Sequence, residues 1–219
     1  MGKITKGVLG GFRGKTGTVI GAKWRGQYVI KSLPEKSSKP ASLGQLNQRA
    51  KFGMMIRFLK RAKPYIDYGF GTNGTGPTPM NEALSYNLSV GIKTTAGVAA
   101  IDYANLLLAK GDIPGAAGVV VTPASRMLKL VWDAYQEEGL DSVNTALRNT
   151  DTVAYFVHNP VTNISLRGTV GGTRATMSAN APISSSFTGT PCHLWIFFKS
   201  ADDRFISNSQ YLGLVTGLV

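Results

Sequence analysis

Apolar positions along this chain follow two different periods. From residue 42 they recur at helical spacing, with Phe52, Met55, Leu59, Ala62 and Ile66 forming one stripe. Ser42 followed three residues later by Gln45 is a capping box, which predicts the helix start, and Pro64 predicts its end or a kink. A second helix is predicted from Thr78-Pro79, an N-cap and first-turn proline pair with Glu82 in the first turn and Met80, Leu84 and Leu88 every four residues. Beyond residue 115 the period drops to two. Strand patterns recur at GVVVT (118–122), MLKLVWDA (127–134), TVAYFVHN (152–159), ISLRGTV (164–170), TRATMSA (173–179), CHLWIFFKSA (192–201) and QYLGLVTGLV (210–219). In MLKLVWDA, Leu128, Leu130 and Trp132 alternate with Lys129, Val131 and Asp133, so Trp132 is expected to face a core.

The front of the chain obeys neither period over any length. TVIGAKW and QYVIKSL read as two short strands joined by Arg25-Gly26, and glycines at 7, 10, 11, 14, 17, 21 and 26 are too dense for a helix. PEKSSKPAS (34–42) is linker-like, GFGTNGTGPTP (69–79) is a loop, and residues 99–115 read as an extended run closed by a Gly, Asp and Pro turn. The fold class expected is therefore α+β, with a basic N-terminal β-ribbon and two helices over residues 1–110, then an immunoglobulin- or fibronectin-like β-sandwich over 111–219.

Charge divides the chain more sharply than hydropathy does. Residues 1–66 carry fifteen of the 24 Lys and Arg against a single acid, Glu35, a net +14, while the remaining 153 residues sum to −2. So one-sided a region repels itself unless an anionic partner offsets it, which points to nucleic acid or another polyanion; the simpler alternative is a solvated basic face. The candidate contact residues are Lys3, Lys6, Arg13, Lys15, Lys23 and Arg25 in the ribbon, and Arg49, Arg57, Lys60 and Arg61 on the helix face away from the apolar stripe. A composition of 43% hydrophobic and 16% charged residues fits a folded protein. The lone Cys192 excludes an internal disulfide and a cysteine-rich zinc site. Neither a signal-peptide pattern nor an apolar run long enough for a membrane span is present, Lys6 stands where a myristoylation motif needs Ser or Thr, and synthesis in the cytoplasm is expected.

GGFRGKTGTV (10–19) imitates a nucleotide-binding loop, but Leu9 stands where that loop needs glycine, and the residues after Thr16 favour a strand rather than a helix. Other chemistry is thinly supplied. His193 adjoins Cys192, and neighbours on a strand point to opposite faces, which argues against a Cys-His pair; His158 before Asn159-Pro160 reads as a strand-end residue. Two histidines without a carboxylate cluster fall short of a metal set. No catalytic residue, metal ligand or cofactor is assigned, and the chain is expected not to be an enzyme.

KGVLGGFRGKTGTVIGAKWRGQYVIKSLP, NQRAKFGMMIRFLK, AKGDIPGA and SADDRFISNSQYLG, in this order, resemble a group of proteins from Bacteroidota bacteria catalogued only as a domain of unknown function. The resemblance spans nearly the whole chain and implies origin and shared architecture, with no catalytic or binding residue. Three functions stay open. The first is a structural assembly protein, such as a phage virion component, whose basic region meets nucleic acid or neighbouring subunits. The second is a free cytoplasmic nucleic-acid-binding protein, and the third an immunoglobulin-like adhesion module. The assembly protein, made in the cytoplasm and incorporated into a particle by self-association or with other subunits, is the expected one.

Overall fold

The two periods become helices and strands in the computed structural model, which describes residues 3–4, 10–24, 26–35, 38–71, 76–95, 97–135 and 147–216. The chain forms two compact units: Met1–Leu46 with Asn73–Gly76, and Asn47–Thr72 with Pro77–Val219.

In the first unit, β1 (Lys3–Ile4), β2 (Phe12–Thr16), β3 (Val19–Trp24) and β4 (Gln27–Ser32) form an antiparallel sheet in chain order. Among the described residues the strands number four rather than the two expected, because the Gly-Lys-Thr stretch lies in strand β2 and Lys3–Ile4 pairs with that strand as β1. Thr16 pairs with Val19 across the two-residue turn Gly17-Thr18, where Gly17 takes φ +57°. Trp24 pairs with Gln27 across residues 25–26, and Gly26 takes φ +86°. The strand-turn-strand geometry removes the helix N-terminus on which a phosphate loop depends.

Helix α1 (Leu43–Leu59) starts on the expected cap. The Ser42 amide donates to Gln45 Oε1 (3.1 Å) and the Gln45 amide to Ser42 Oγ (3.3 Å). A 3-10 turn (Lys60–Ala62) and α2 (Lys63–Gly69) follow, with Pro64 in the first turn of α2 where its missing N–H is harmless. In α3 (Pro79–Val90) the Thr78 hydroxyl accepts from the Asn81 amide at 3.3 Å. The apolar stripe is buried at Met55, Leu59, Ala62 and Ile66, but Phe52 is 47% exposed, because α1 reaches the core only in its second half.

The second unit is organised by two sheets. β7 (Val120–Ala124), β8 (Met127–Val131) and β11 (Ser178–Pro182) make a three-stranded sheet in the order β11-β8-β7. β9 (Thr152–Asn159), β10 (Ile164–Thr173), β12 (Cys192–Lys199) and β13 (Gln210–Val215) make a four-stranded one in the order β10-β9-β12-β13, all antiparallel. The hairpin of β5 (Ile92–Thr95) and β6 (Val98–Ile101) stands apart.

The central pair β9 and β12 is buried on both faces, and strand alternation sorts its side chains. Val153, Tyr155 and Val157 of β9 and Leu194, Ile196 and Phe198 of β12 join Leu128, Leu130 and Trp132 in one core. Phe156 and Trp195, on the opposite face, join Met55, Phe58, Leu59 and Leu84 of the helices in another. The Tyr65 hydroxyl of α2 donates to the Tyr155 and Gly168 carbonyls (3.2 and 3.1 Å), and its burial pushes its pKa up to about 12. Residues 99–115 are not one extended run. β6 ends at Ile101, a 3-10 turn covers Tyr103–Asn105, and the Ala116 backbone is bracketed by the Gln210 side-chain amide (2.6 and 2.7 Å).

The expected strand 173–179 is broken by a 3-10 turn (Arg174–Thr176), because Arg174 turns inward and is 2% exposed. Its guanidinium donates to the Pro114 and Gly115 carbonyls (2.7 and 3.0 Å), meets Asp151 Oδ2 at 3.3 Å and lies 3.8 Å over the Phe198 ring. The Trp132 indole N–H donates to the Arg174 carbonyl at 2.9 Å. Burial pushes the Asp151 carboxyl up against the pull of Arg148 and Arg174.

Trp132→Ala is expected to cost about 3–5 kcal/mol, since it empties the inter-sheet core and frees the Arg174 carbonyl. Leu214→Ala, at a site 51% exposed, is expected to cost much less. Urea midpoints of the two variants check this, and equal midpoints would contradict the placement of Trp132.

Candidate anion-binding groove

Arg49, Gly53, Arg57 and Arg61 follow one another every four residues, so they climb one side of α1 and its 3-10 extension in steps of roughly 6 Å. Arg61 Nη1 donates to the Arg57 carbonyl (2.8 Å), and Arg167 Nη1 donates to the Arg61 carbonyl (3.2 Å). These bonds hold the guanidinium carriers in place without neutralising them.

Two adjoining grooves open beside this stripe. One, of about 510 Å³, is lined by Arg49, Lys51, Gly53 and Arg57 from α1 and by Thr94 and Val98 from the β5–β6 hairpin. The other, of about 480 Å³, runs on past Arg57 and Arg61 to Tyr103, His158 and the turn at Pro160–Asn163. They share Met54, Arg57 and Ala99. Among the described residues four cations and no carboxylate line the two. Among the described residues Arg49, Lys51, Arg57 and Arg61 have no acidic partner, whereas Lys93, Lys110, Arg148, Arg174, Lys199 and Arg204 each do. Like charges four residues apart destabilise a helix by a few tenths of a kcal/mol per pair, so an anion seated here would relieve α1.

The floor of the second groove is aromatic and uncharged. His193 and His158 are cross-strand neighbours on β12 and β9, and the Tyr103 ring stacks on His193 at 3.9 Å. His158 Nδ1 and Ser165 Oγ are 2.8 Å apart, His158 Nε2 and the Tyr103 hydroxyl 3.4 Å, and His193 Nδ1 and the Tyr211 hydroxyl 2.7 Å. Burial, with Arg61 and His193 adding to it, lowers the His158 pKa to about 4, and burial lowers His193 as well. Near neutrality His158 is therefore an uncharged, internally hydrogen-bonded part of the floor beneath a cationic rim. Cys192 points to the opposite face, buried in the inter-sheet core, as strand alternation requires.

Of the basic residues expected to make contacts, Arg49, Arg57 and Arg61 are thus brought together. Lys60 is exposed in the 3-10 turn, outside both groove linings. Arg13, Lys15 and Lys23 are exposed on β2 and β3, Lys3 lies on β1 opposite Arg13, and Lys6 and Arg25 fall outside the described residues. Sequence reasoning missed Lys51 as a lining residue and the approach of His158 to His193. Only strand register pairs the two histidines, and nothing in either segment alone announces it.

A family model described as a family of unknown function, DUF6266, matches residues 11–213. The chain matches no curated protein and no solved structure.

Stability is expected to fall with acid. His158 takes up its proton near the ordinary 6.5 when unfolded and near 4 when folded, so the unfolded state binds the proton first as pH drops. The contribution is intact above about 6.5, is lost progressively down to about 4 and amounts to about 3 kcal/mol. Urea unfolding across this range should show the decline, with a smaller decline in His158→Gln. An equal decline in that variant would contradict the assignment to His158.

Proposed function

Because the chain belongs to DUF6266, a family of unknown function, its role has to be read from its own residues, and we propose a non-enzymatic assembly protein whose basic first third contacts nucleic acid or neighbouring subunits. The observation that carries this reading is the carboxylate-free groove along α1, where Arg49, Lys51, Arg57 and Arg61 stand without acidic partners among the described residues. A groove of cations over a neutral floor suits a linear anion, whose repeated charges match a repeated stripe. The particle we propose is a phage virion or a comparable assembly, with synthesis in the cytoplasm of a Bacteroidota cell and incorporation afterwards. The four motifs quoted from the sequence support that origin.

The second unit would serve as the rigid body of such a subunit. We read β7–β13 as an immunoglobulin- or fibronectin-like sandwich. Support comes from seven antiparallel strands divided three and four, in the orders β11-β8-β7 and β10-β9-β12-β13, around a shared core.

Light scattering of the purified chain, before and after nuclease treatment, tests the proposal. The expected mass is well above the 23.3 kDa of one chain and falls on nuclease treatment; a high mass that nuclease leaves unchanged places the contact between subunits. The double variant Arg57→Glu, Arg61→Glu should lower the salt dependence of nucleic-acid binding by about two phosphate contacts. A 23.3 kDa species that stays so with nucleic acid added at low salt would overturn the proposal.

A further inference from the structure

Among its described residues the N-terminal sheet has no core of its own. Among the described residues between 10 and 35 only Gly21 is buried, and none of them belongs to the three buried hydrophobic clusters. Trp24 is 51% exposed and Ile30 67%. A sheet this bare gains little from burial to offset the ordering of its chain, so a covering partner would stabilise it.

Register shows how the side chains divide between the two faces. Lys15 pairs with Ile20 and Ile20 with Lys31, so these three form a row across β2, β3 and β4, with the two lysines roughly 10 Å apart. Alternation puts Arg13, Ala22, Trp24 and Val29 on the same face. The opposite face leaves Tyr28 and Ile30 48% and 67% exposed, but its rings rest on the sheet's own glycines. Phe12 lies against Gly21 and Tyr28 against Gly11, where a Cβ on either glycine would collide with the ring, and the Lys23 ammonium sits 5.5 Å over Tyr28. The first face thus offers Lys15 and Lys31 on either side of Ile20 in one row, Arg13 with half-buried Ala22 and Val29 in the next, and an open indole in the last. No carboxylate lies on β1–β4, and Arg13, Lys15 and Lys31 have no acidic partner among the described residues.

We infer that this face binds single-stranded nucleic acid, with Arg13, Lys15 and Lys31 on phosphates and Trp24 stacked on a base. The inference rests on the reading of the basic first third as a polyanion contact and adds the strandedness and the residues. A second copy of the chain would bring like charge against like charge. A duplex would satisfy the cations while keeping its bases stacked on one another, and an acidic polypeptide would offer the indole no flat partner. An unpaired base offers a π-face to the indole and its backbone a phosphate to each cation.

The test uses the full chain and an oligothymidylate of about 15 nucleotides, with a duplex of equal length and polyglutamate as comparators. Trp132 and Trp195 are 2% and 0% exposed, so quenching of indole emission on binding reports Trp24. The single strand is expected to quench emission and to bind more tightly than the duplex. Trp24→Ala should weaken it about 5- to 100-fold, Trp24→Phe should restore most of the affinity without the quenching, and Lys15→Ala or Lys31→Ala should each reduce the salt slope by about 0.7. Retained emission from the two buried tryptophans verifies that the second unit of Trp24→Ala is folded, and recovery of affinity in Trp24→Phe separates loss of the ring from loss of the sheet. Unchanged affinity in Trp24→Ala, or equal binding of the duplex without quenching, overturns the inference; loss of that binding in Arg57→Glu, Arg61→Glu would leave the groove reading standing. Equal binding of polyglutamate overturns the choice of nucleic acid. No binding of any of the three at low salt overturns both readings.

Discussion

The pairing of β9 with β12 is the constraint on which the second unit depends. Seven residue pairs join them in register from His193–His158 to Lys199–Thr152, and a slip of one residue would exchange the two faces of a strand. In the observed register Tyr155, Ile196 and Phe198 meet the three-stranded sheet while Phe156 and Trp195 meet the helices. The same register brings His158 beside His193, and therefore sets the floor of the groove under Arg61. Arg174 clasps the inter-sheet core at one end. A guanidinium inside a protein needs acceptors for its donors, and here Nη1 and Nη2 find two carbonyls and a carboxylate and the plane a ring face, while Nε is left without a partner among the described residues.

The basic first third follows a different physics. Its ribbon leaves Trp24, Tyr28 and Ile30 at least partly in solvent and gathers cations without acids. Beyond the first third, by contrast, carboxylates are matched to specific cations, as in Lys93–Asp102 and Arg174–Asp151. Placing unpaired charge together has an energetic penalty in the free chain and a return only when counter-charge arrives. The groove beside α1 and the open face of the ribbon are two surfaces with the same electrostatic requirement.

Local signals in the sequence were legible. The Ser42–Gln45 box, the Thr78-Pro79 start, the Pro64 break and the alternation that buries Trp132 all depend on residues a few positions apart, and each is realised. The near-continuous apolar runs at 152–159 and 192–199 carried the mark of two-sided burial, but what would cover the second face was not written in them. Phe52 kept its place in the helical pattern yet lost its partner, since periodicity gives a face and not the extent of its cover. Arg174 sits in a segment that alternates like a strand, and only the Asp151 carboxylate and the Pro114 and Gly115 carbonyls, distant in sequence, explain why it turns inward. The cations Arg49, Arg57 and Arg61 were readable as a basic face. That the β5–β6 hairpin closes a groove over them was not, because that contact joins residues some forty positions apart.

A second unit that holds its own cores and an N-terminal sheet that a polyanion would order is the arrangement we propose. Amide hydrogen exchange measured with and without a single-stranded oligonucleotide tests it most directly. Slow exchange is expected along β9 and β12 in both conditions, and fast exchange along β2–β4 in the free chain that slows markedly when the oligonucleotide is added. Exchange along β2–β4 in the free chain as slow as along β9 and β12, and unchanged by the oligonucleotide, would contradict it.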